Sequence, residues 1–375
     1  MKKKIAILGS TGSIGKSLLD ILRNDKKNQI ILLTANTNYH LLLKQAKEFK
    51  VKNIIISDKK KYLKIKKDKR YKNIKIFKDF HCFNKIFKTK IDYTMSSIIG
   101  LNGLYPTLKI IKFTKVIAVA NKESIICGWN LLNKELKKNN TKFIPVDSEH
   151  FSIWFDLINN NDNRKIKKIF ITASGGPFKN EPLKNFKNIK IKDALNHPNW
   201  KMGKKISIDS ATMINKIFET IEAKNIFDLP YKKISIIIHP KSYIHAIIQY
   251  QNGISKVILH DTDMKIPIFN SLNFPLIKKY NNKGIDFDKL NKLDLSNIDL
   301  KRFPCLKIIK DLPNKFSLFE TVLVAANDEL VNLFLKKQIK FTDISKLLLK
   351  ILKARKFTKY KRLKPKKIDD IIQLN

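Results

Sequence analysis

An apolar, strand-like run lies directly before a glycine-rich turn in the stretch Ile5-Ala6-Ile7-Leu8-Gly9-Ser10-Thr11-Gly12-Ser13-Ile14-Gly15. The residues that follow, Lys16–Arg23, have the apolar period of a helix. Glycines at such a turn let the backbone approach a pyrophosphate, and the helix N-terminus adds N–H donors and a positive dipole. The G-x-x-G-x-x-G spacing is a variant of the standard fingerprint. The stretch therefore predicts dinucleotide binding, in preference to an ordinary tight turn.

The same alternation of strand and helix continues over the first 150 residues and predicts a doubly wound parallel sheet. Tyr39–Phe49 is a second predicted helix, and the charge-dense Lys59–Lys75 is interpreted as a solvated helix and loop. The further predicted strands are Ile30–Thr34, Asn53–Ile56, Ile91–Met95, Val116–Val119 and Phe143–Val146.

The rest of the chain has a different pattern, which predicts an α+β catalytic domain and then a helical end. Its predicted strands are Lys168–Thr172, Ser235–Ile238 and Ile244–Tyr250, and its predicted helices are Phe316–Lys336 and Ile344–Leu352. The expected fold class is α/β in four parts: an N-terminal Rossmann-like dinucleotide-binding domain (1–146), an α+β catalytic domain with a flap (147–280), a linker (281–310) and a C-terminal helical domain (311–375). The basic stretch Lys353–Lys367 is expected to be a solvated helix rather than an RNA-binding arm.

The formal net charge of +44 is the most unusual bulk property. A nucleic-acid-binding protein concentrates its basic residues in a patch or stripe, whereas lysine here is scattered along nearly every segment. We interpret the charge as compositional drift that raises encounter rates with anionic ligands. No specific nucleic-acid partner is expected.

The sequence also bears on location. No apolar run approaches the roughly 18 residues of a membrane helix, and the N-terminus does not read as an export signal. Cys82, Cys127 and Cys305 are odd in number and widely spaced, which fits neither a disulfide framework nor a zinc site. A cytoplasmic protein without a membrane partner is expected.

The end of the second predicted strand bears on the choice of cofactor. An NAD enzyme usually has Asp or Glu there to bind the ribose 2′-hydroxyl. Asn36, Thr37 and Asn38 occupy the position, so nothing repels a 2′-phosphate and NADP is favoured.

Two segments carry oxygen ligands for a hard cation. In an extended chain Asp147 and Glu149 would share a face and Ser148 would point elsewhere, which makes half of an Mg²⁺ or Mn²⁺ site unless the segment is a polar loop. Further along, Asp209 or Ser210 is a fair N-cap of a helix. That helix would carry Asn215, Lys216 and Glu219 together, with a plain polar helix face as the alternative and Glu222 competing with Glu219 as ligand.

Two loops complete the polar set. Ser174, Gly175 and Gly176 offer a hydroxyl and flexible amides for an anion. The second loop, from His197 to Gly203, carries Trp200 and Met202, which suit a lid over substrate; a loop anchored by a buried Trp is the alternative.

Taken together, these motifs resemble the 1-deoxy-D-xylulose 5-phosphate reductoisomerases of isoprenoid precursor biosynthesis. The resemblance extends to about Ile344 and includes Ala120–Ser124, His239–His245 and Ala325-Ala326-Asn327. It implies a homodimer that uses NADPH and Mg²⁺ or Mn²⁺, with Co²⁺ as a further alternative. The implied reaction is an isomerisation of the substrate's carbon skeleton followed by reduction to 2-C-methyl-D-erythritol 4-phosphate.

The resemblance also implies roles for individual residues. Metal ligands would be Asp147, Glu149 and Glu219, and Lys122 joins them as a catalytic residue. Substrate contacts would be Lys122, Ser148, Glu149, Ser174, His197, Ser210, Asn215, Lys216 and Glu219, with Ser174, Ser210, Asn215 and Lys216 around the phosphate. Cofactor contacts would be Thr11, Gly12, Ser13, Ile14, Asn36, Thr37, Asn38, Asn121, Glu123 and Gly203. Trp200 and Met202 would lie in the flap. The sequence does not reveal the general base, for which a metal-bound hydroxyl and Glu149 are the candidates.

The chain departs from the family pattern in three places. Asn36 and Thr37 stand where members often have Gly and a basic residue, Ile217 replaces a usual glycine beside Glu219, and the lysine-rich end after Ile344 matches poorly. Two other function classes stay open at this point. One is another two-domain NADP dehydrogenase, such as a semialdehyde dehydrogenase, whose chemistry needs a catalytic cysteine. The other is a nucleic-acid-binding protein, such as a decayed enzyme, which needs clustered charge.

Overall fold

The computed structural model describes residues 2–23, 25, 27–158, 165–200, 202–282 and 284–375. They form two compact units, the first comprising 1–124, 130–147 and 264–280 and the second comprising 125–129, 148–263 and 281–375. The predicted division at residues 146, 280 and 310 stays a prediction.

Strands and helices are numbered along the chain. The strands are β1 Lys3–Leu8, β2 Asn28–Ala35, β3 Asn53–Ile56, β4 Lys75–Phe77, β5 Ile91–Ser96, β6 Thr114–Val119, β7 Lys142–Pro145, β8 Ile166–Ala173, β9 Ile234–Ile238, β10 Ile244–Tyr250 and β11 Ser255–Leu259. The helices are α1 Ser13–Arg23, α2 Tyr39–Glu48, α3 Lys59–Lys66, α4 Phe83–Ile86, α5 Leu104–Ile110, α6 Lys122–Lys138, α7 Ser148–Leu157, α8 Ile191–Leu195, α9 Lys204–Ala211, α10 Ile214–Phe227, α11 Lys265–Asn273, α12 Phe287–Asn291, α13 Phe319–Leu335, α14 Phe341–Lys353, α15 Arg355–Thr358 and α16 Ile368–Ile372.

The first unit is built on a seven-stranded parallel sheet in the order β4-β3-β2-β1-β5-β6-β7. Its central strand is buried on both faces, which is why Ile5–Leu8 is a continuous apolar run with no exposed surface. The strand order reverses between β1 and β5, and ligands of such sheets bind outside the carboxyl ends of the strands at this point. The predicted doubly wound sheet is confirmed, and the glycine turn follows β1 at the reversal.

Helix α11 belongs to the first unit although it follows the second sheet in sequence. It packs on α1, and its Ser271 Oγ lies 2.8 Å from the hydroxyl of buried Tyr93 on β5. The segment 264–280 therefore groups with the parallel sheet through its core contacts.

The second unit contains a four-stranded sheet in the order β11-β10-β8-β9, in which β10 is antiparallel to β8 and β11 while β8 and β9 are parallel. Its buried face packs against α10 through a cluster that includes Ile169, Ile171, Ile248 and Phe227. Helices α13 and α14 pack together farther along the chain, with Leu323, Ile344 and Leu348 fully buried. The predicted α+β part and helical end are confirmed.

One local prediction was wrong and two strands were missed. The predicted helix and loop over Lys59–Lys75 are confirmed by α3 and the turn after it, but the last residue of the stretch begins β4, which was not predicted. Strand β11 was not predicted either. The basic stretch Lys353–Lys367 is not one helix, because Ala354 is extended (ψ 133°) and separates α14 from the single turn α15. A 3₁₀ turn over Lys359–Arg362 follows, and Pro365 cannot donate to a continuing helix.

Candidate functional site

The glycine turn after β1 is shaped by close backbone contacts. A Cβ on Gly15 would lie 2.5 Å from the Gly9 carbonyl oxygen, and one on Gly9 (φ +86°) would lie 2.8 Å from the Ser97 carbonyl oxygen after β5. Helix α1 begins at Ser13, so the N–H groups of Ser13, Ile14 and Gly15 belong to its first turn, where the helix itself offers no acceptor. The Gly12 N–H donates to the Gly9 carbonyl oxygen at 3.1 Å. The predicted dinucleotide turn therefore has the required form, with Gly9 and Gly15 as the positions where a side chain cannot fit.

Two residues predicted to contact the cofactor, Asn38 and Asn121, also cap helices. Asn38 caps α2 by accepting the Leu41 N–H at 3.2 Å, and Asn36, Thr37 and Asn38 are all exposed after β2. Asn121 caps α6 by accepting the Ser124 N–H, while its amide donates to the carbonyls of Ile98 and Gly100. Its side chain thus links α6 to the loop after β5, a role that the sequence analysis did not assign.

Lys122 and Asp147 pair within the first unit. The Lys122 Nζ lies 2.6 Å from Asp147 Oδ2, and Lys122 is 9% exposed. Asp147 follows β7, and the helix α7 begins one residue later at Ser148. The extended-chain reasoning was therefore wrong, because Glu149 projects from the first turn of a helix. Ser148 does not point elsewhere: its Oγ donates to Glu149 Oε2 at 2.5 Å.

Lys216 joins two carboxylates inside the second unit. Its ammonium contacts both Glu149 and Glu219, whose carboxylate oxygens lie within 4.8 Å of each other. Asn215 Nδ2 donates to the other oxygen of Glu219. Lys216 and Glu219 are 7% and 1% exposed. The predicted common face of Asn215, Lys216 and Glu219 is confirmed by these contacts, and a solvated polar helix face is not what the structure has.

The helix that carries this set begins later than predicted. Asp209 and Ser210 are not N-caps, because both lie in the last turn of α9. The chain then turns through Met213, which is left-handed (φ 64°), and α10 begins at Ile214. Two helices thus meet where the sequence predicted one, with Ser210 just before the junction and Asn215 just after it.

Behind Glu219 lies a buried histidine that had no predicted role. His150 of α7 is fully buried, and its Nε2 lies 2.9 Å from the Glu219 carbonyl oxygen. Its Nδ1 lies 3.8 Å from Glu222 Oε2. Glu222 therefore faces His150, whereas Glu219, one turn earlier in α10, faces Lys216.

Ser174 and His197 form a second polar pair. His197 Nδ1 accepts the N–H groups of Asn199 and Trp200 at 3.2 and 3.1 Å, so the proton resides on Nε2, which lies 3.0 Å from Ser174 Oγ. Burial, with the nearby charge of Lys216, lowers the pKa of His197 to about 4 and keeps the ring neutral. Ser174 Oγ also accepts the Gly176 N–H at 3.1 Å, so the hydroxyl proton remains available to a ligand.

The segment after His197 is anchored at its base. Asn199 Nδ2 donates to Ser242 Oγ at 2.9 Å and to the Pro240 carbonyl oxygen. Trp200 is half-buried, and its ring lies 6.4 Å from that of His245. Met202 is half-buried too, and exposed Gly203 is the N-cap of α9. Lys201 between them lies outside the described residues.

The cysteines do not support a thiol nucleophile. All three are buried, and burial raises the pKa of Cys82 and of Cys305 to about 12. A reactive cysteine needs the opposite shift. The dehydrogenase alternative therefore lacks its essential residue among these three.

Comparison with known proteins agrees with this geometry. Family models match residues 5–128 (1-deoxy-D-xylulose 5-phosphate reductoisomerase), 143–227 (the C-terminal domain of that enzyme) and 259–375 (DXP reductoisomerase C-terminal domain). The reductoisomerase of Pelagibacter ubique is 59% identical over 376 residues, covering 100% of this chain and 97% of that protein. That of Clostridium kluyveri is 40% identical, covering 92% and 91%.

Solved structures extend the likeness to the fold. The reductoisomerase of Zymomonas mobilis in complex with NADPH has a TM-score of 0.87 at 33% identity, covering 100% of this chain and 96% of that one. A DOX-P reductoisomerase in complex with NADPH, fosmidomycin and magnesium has a TM-score of 0.91 at 32% identity, covering 99% and 95%. The expectation that the resemblance fades after Ile344 was wrong, because the last family match reaches residue 375. The chain belongs to the 1-deoxy-D-xylulose 5-phosphate reductoisomerase family.

Proposed function

We propose that this chain uses NADPH and a divalent cation to convert 1-deoxy-D-xylulose 5-phosphate into 2-C-methyl-D-erythritol 4-phosphate. The observation that carries the proposal is the polar group of buried Lys216 and Glu219 with half-buried Glu149 and Asn215, in a chain with a pyrophosphate-type glycine turn. This is the activity of the family to which the chain belongs.

Asp147, Glu149 and Glu219 are the residues that we propose to hold Mg²⁺ or Mn²⁺. Carboxylate oxygens are the ligands such ions prefer, and Asp147 is separated from Glu149 by one residue of the chain. The Lys216 ammonium already bridges Glu149 and Glu219, so the two carboxylates are arranged to share one positive charge. A bound cation would act as Lewis acid and template for the substrate's carbonyl and hydroxyl oxygens.

The substrate's phosphate would be held by Ser174, Ser210, Asn215 and Lys216. Ser174 is supported by the fixed tautomer of His197, which donates to it and leaves its own hydroxyl proton for a phosphate oxygen. With a cation held by Glu149 and Glu219, the Lys216 ammonium, which contacts both carboxylates here, would be available to a phosphate. Ser148 would orient Glu149, and Lys122 would contact the substrate. These residues position the substrate and stabilise charge.

NADPH would bind at the glycine turn through Thr11, Gly12, Ser13 and Ile14, with Asn36, Thr37 and Asn38 beside its 2′-phosphate. Asn121, Glu123 and Gly203 complete the proposed contacts. The cofactor supplies the hydride of the reduction. Asn36 and Thr37 carry neither a carboxylate nor a basic group, so selectivity for NADPH would come from hydrogen bonding rather than charge.

A direct assay tests the proposal. Purified full-length chain, 1-deoxy-D-xylulose 5-phosphate, Mg²⁺ and NADPH should give a fall in absorbance at the nicotinamide band, and a chelator should stop it. We expect a higher kcat/KM with NADPH than with NADH. No turnover with either nucleotide would refute the function, whereas equal values would refute only the selectivity.

We further propose that the chain is a cytoplasmic homodimer. Buried thiols such as those of Cys82 and Cys305 suit a reducing compartment. Strand β11 forms the outer edge of the second sheet, and among the described residues no strand pairs with its far side. Ile254 and Val257 at this edge are 58% and 47% exposed, which suits pairing with a second copy. No helix of the described residues has the length and apolarity needed to cross a membrane.

A further inference from the structure

The motif Ala325-Ala326-Asn327 is not explained by any role proposed so far. Asn327 lies in α13 and is fully buried, and its Nδ2 donates to Asp209 Oδ1 of α9 at 2.8 Å. Asp209 is 2% exposed. The contact joins two helices that are 118 residues apart along the chain.

The Asp209 carboxylate is held on both oxygens. Lys205, one turn earlier in α9, donates to Oδ2 at 3.1 Å and also lies 3.0 Å from Asp328 Oδ1 of α13. A buried carboxylate is strongly unfavourable unless it is paired and hydrogen-bonded. Because one donor comes from each helix, the last turn of α9 is fixed in position relative to α13.

That last turn carries the next residue, Ser210, which we proposed as a phosphate contact. The glycine loop packs on the same turn: a Cβ on Gly176 would lie 3.0 Å from the Ser210 carbonyl oxygen. The loop's Ser174 is a second proposed phosphate contact. Beyond Ser210 the chain turns at Met213 and enters α10, which carries Asn215 and Lys216. A shift of this turn would therefore move the whole proposed phosphate subsite.

We propose that Asn327 and Asp209 are positioning residues that place Ser210, through the last turn of α9, for binding the phosphate of the substrate. The inference rests on the proposed function, since it deepens the account of the same site. Neither residue contacts the phosphate in this scheme. Their effect is carried by the backbone of α9.

Exchange of the two side chains gives a specific test. Asn327→Asp places a second carboxylate next to that of Asp209. Asp209→Asn leaves the donors of Asn327 and Lys205 with a single amide oxygen as acceptor. In the double variant, the introduced amide can accept from Lys205 and donate to the introduced carboxylate. Asn332→Asp makes the same change at an exposed position of α13 and is the matched control. If Asn327→Asp does not fold, Asn327→Ala, which removes only the donor, takes its place.

The readouts are KM for the sugar phosphate, KM for NADPH and the inhibition constant of inorganic phosphate. A displacement of about 1 Å can cost up to roughly 100-fold in rate. We expect each single variant to lower kcat/KM for the sugar phosphate about 10- to 100-fold, mainly through KM, and to raise the phosphate inhibition constant about tenfold. The double variant should recover to within about threefold of the wild type. KM for NADPH should stay within about twofold throughout.

A Ser210→Ala background separates positioning from plain stability. There, Asn327→Asp should weaken inhibition by phosphate less than it does in the wild type, because the contact of the Ser210 hydroxyl is already absent. If it weakens inhibition as much as in the wild type, or if the single variants lower only the melting temperature, the proposal is overturned. Failure of the proposed function is distinguishable, because the wild-type chain itself would then show no turnover.

Discussion

Glu219 and Glu222 are one helical turn apart in α10, and their neighbours separate their roles. Glu219 contacts Lys216 and Asn215, whereas Glu222 faces His150. Glu219→Gln keeps the shape but removes a charged ligand from the proposed metal site. Changes in residues around metal ligands cost about 10- to 100-fold, and loss of a ligand should cost at least as much.

We therefore expect Glu219→Gln to lower turnover about 100-fold or more, with partial recovery in excess Mn²⁺ and unchanged NADPH binding. Glu222→Gln is the matched control and should be milder. Steady-state kinetics with a metal titration measures both. If Glu219→Gln keeps near-normal activity while Glu222→Gln loses it, the metal ligand is Glu222, one turn later in α10.

Residue types were easier to predict from the sequence than their placement. The common face of Asn215, Lys216 and Glu219 follows from helical spacing alone. The hydrogen bond between Ser148 and Glu149 could not be predicted in this way, because α7 begins at Ser148 and the segment is not extended. The partners of Asp209 and His150 could not be predicted either, since they come from helices far away in sequence.

At the scale of elements, the buried strands were predicted best. A short apolar run such as Ile5–Leu8, which ends at a glycine turn, indicates a buried strand. The edge strands β4 and β11 were missed because they are only three and five residues long and each begins with polar or charged residues. The break between α9 and α10 was missed because it depends on one left-handed residue, Met213, of a type that rarely adopts that conformation.

The predicted flap can be tested through Trp200. Trp200 is half-buried, and its backbone N–H is bonded to His197. If its ring covers bound substrate, Trp200→Ala should lower kcat about tenfold by admitting water, with little effect on NADPH affinity or melting temperature. Enzyme kinetics, a nucleotide titration and thermal unfolding measure these three effects.

Trp129 in α6 is the control for the flap experiment, because it is a buried tryptophan at 6% exposure. Truncation of such a side chain costs about 3–5 kcal/mol of unfolding free energy. Trp129→Ala should therefore lower the melting temperature by many degrees. A similar fall for Trp200→Ala would show that Trp200 is an ordinary core residue.

At the scale of the whole molecule, the positive charge lies mainly on the surface. Within the described part of the chain, Lys122, Lys216 and Lys224 are the buried lysines. Two copies that each carry a formal charge of +44 repel one another, and salt shortens the range of this repulsion. The Debye length falls from about 30 Å at 0.01 M salt to about 8 Å at 0.15 M.

The proposed dimer should therefore strengthen as salt is added, unlike an association held by opposite charges. In sedimentation velocity, we expect the dimer fraction to rise between about 0.01 and 0.15 M NaCl. Val257→Lys adds charge at the β11 edge and should shift the protein to monomer. Leu63→Lys, at a comparably exposed position in α3 (49% against 47%), should behave like the wild type. If Val257→Lys leaves the dimer unchanged, the subunits do not pair through the β11 edge. If the wild type is a monomer at every salt concentration, the proposed dimer is refuted.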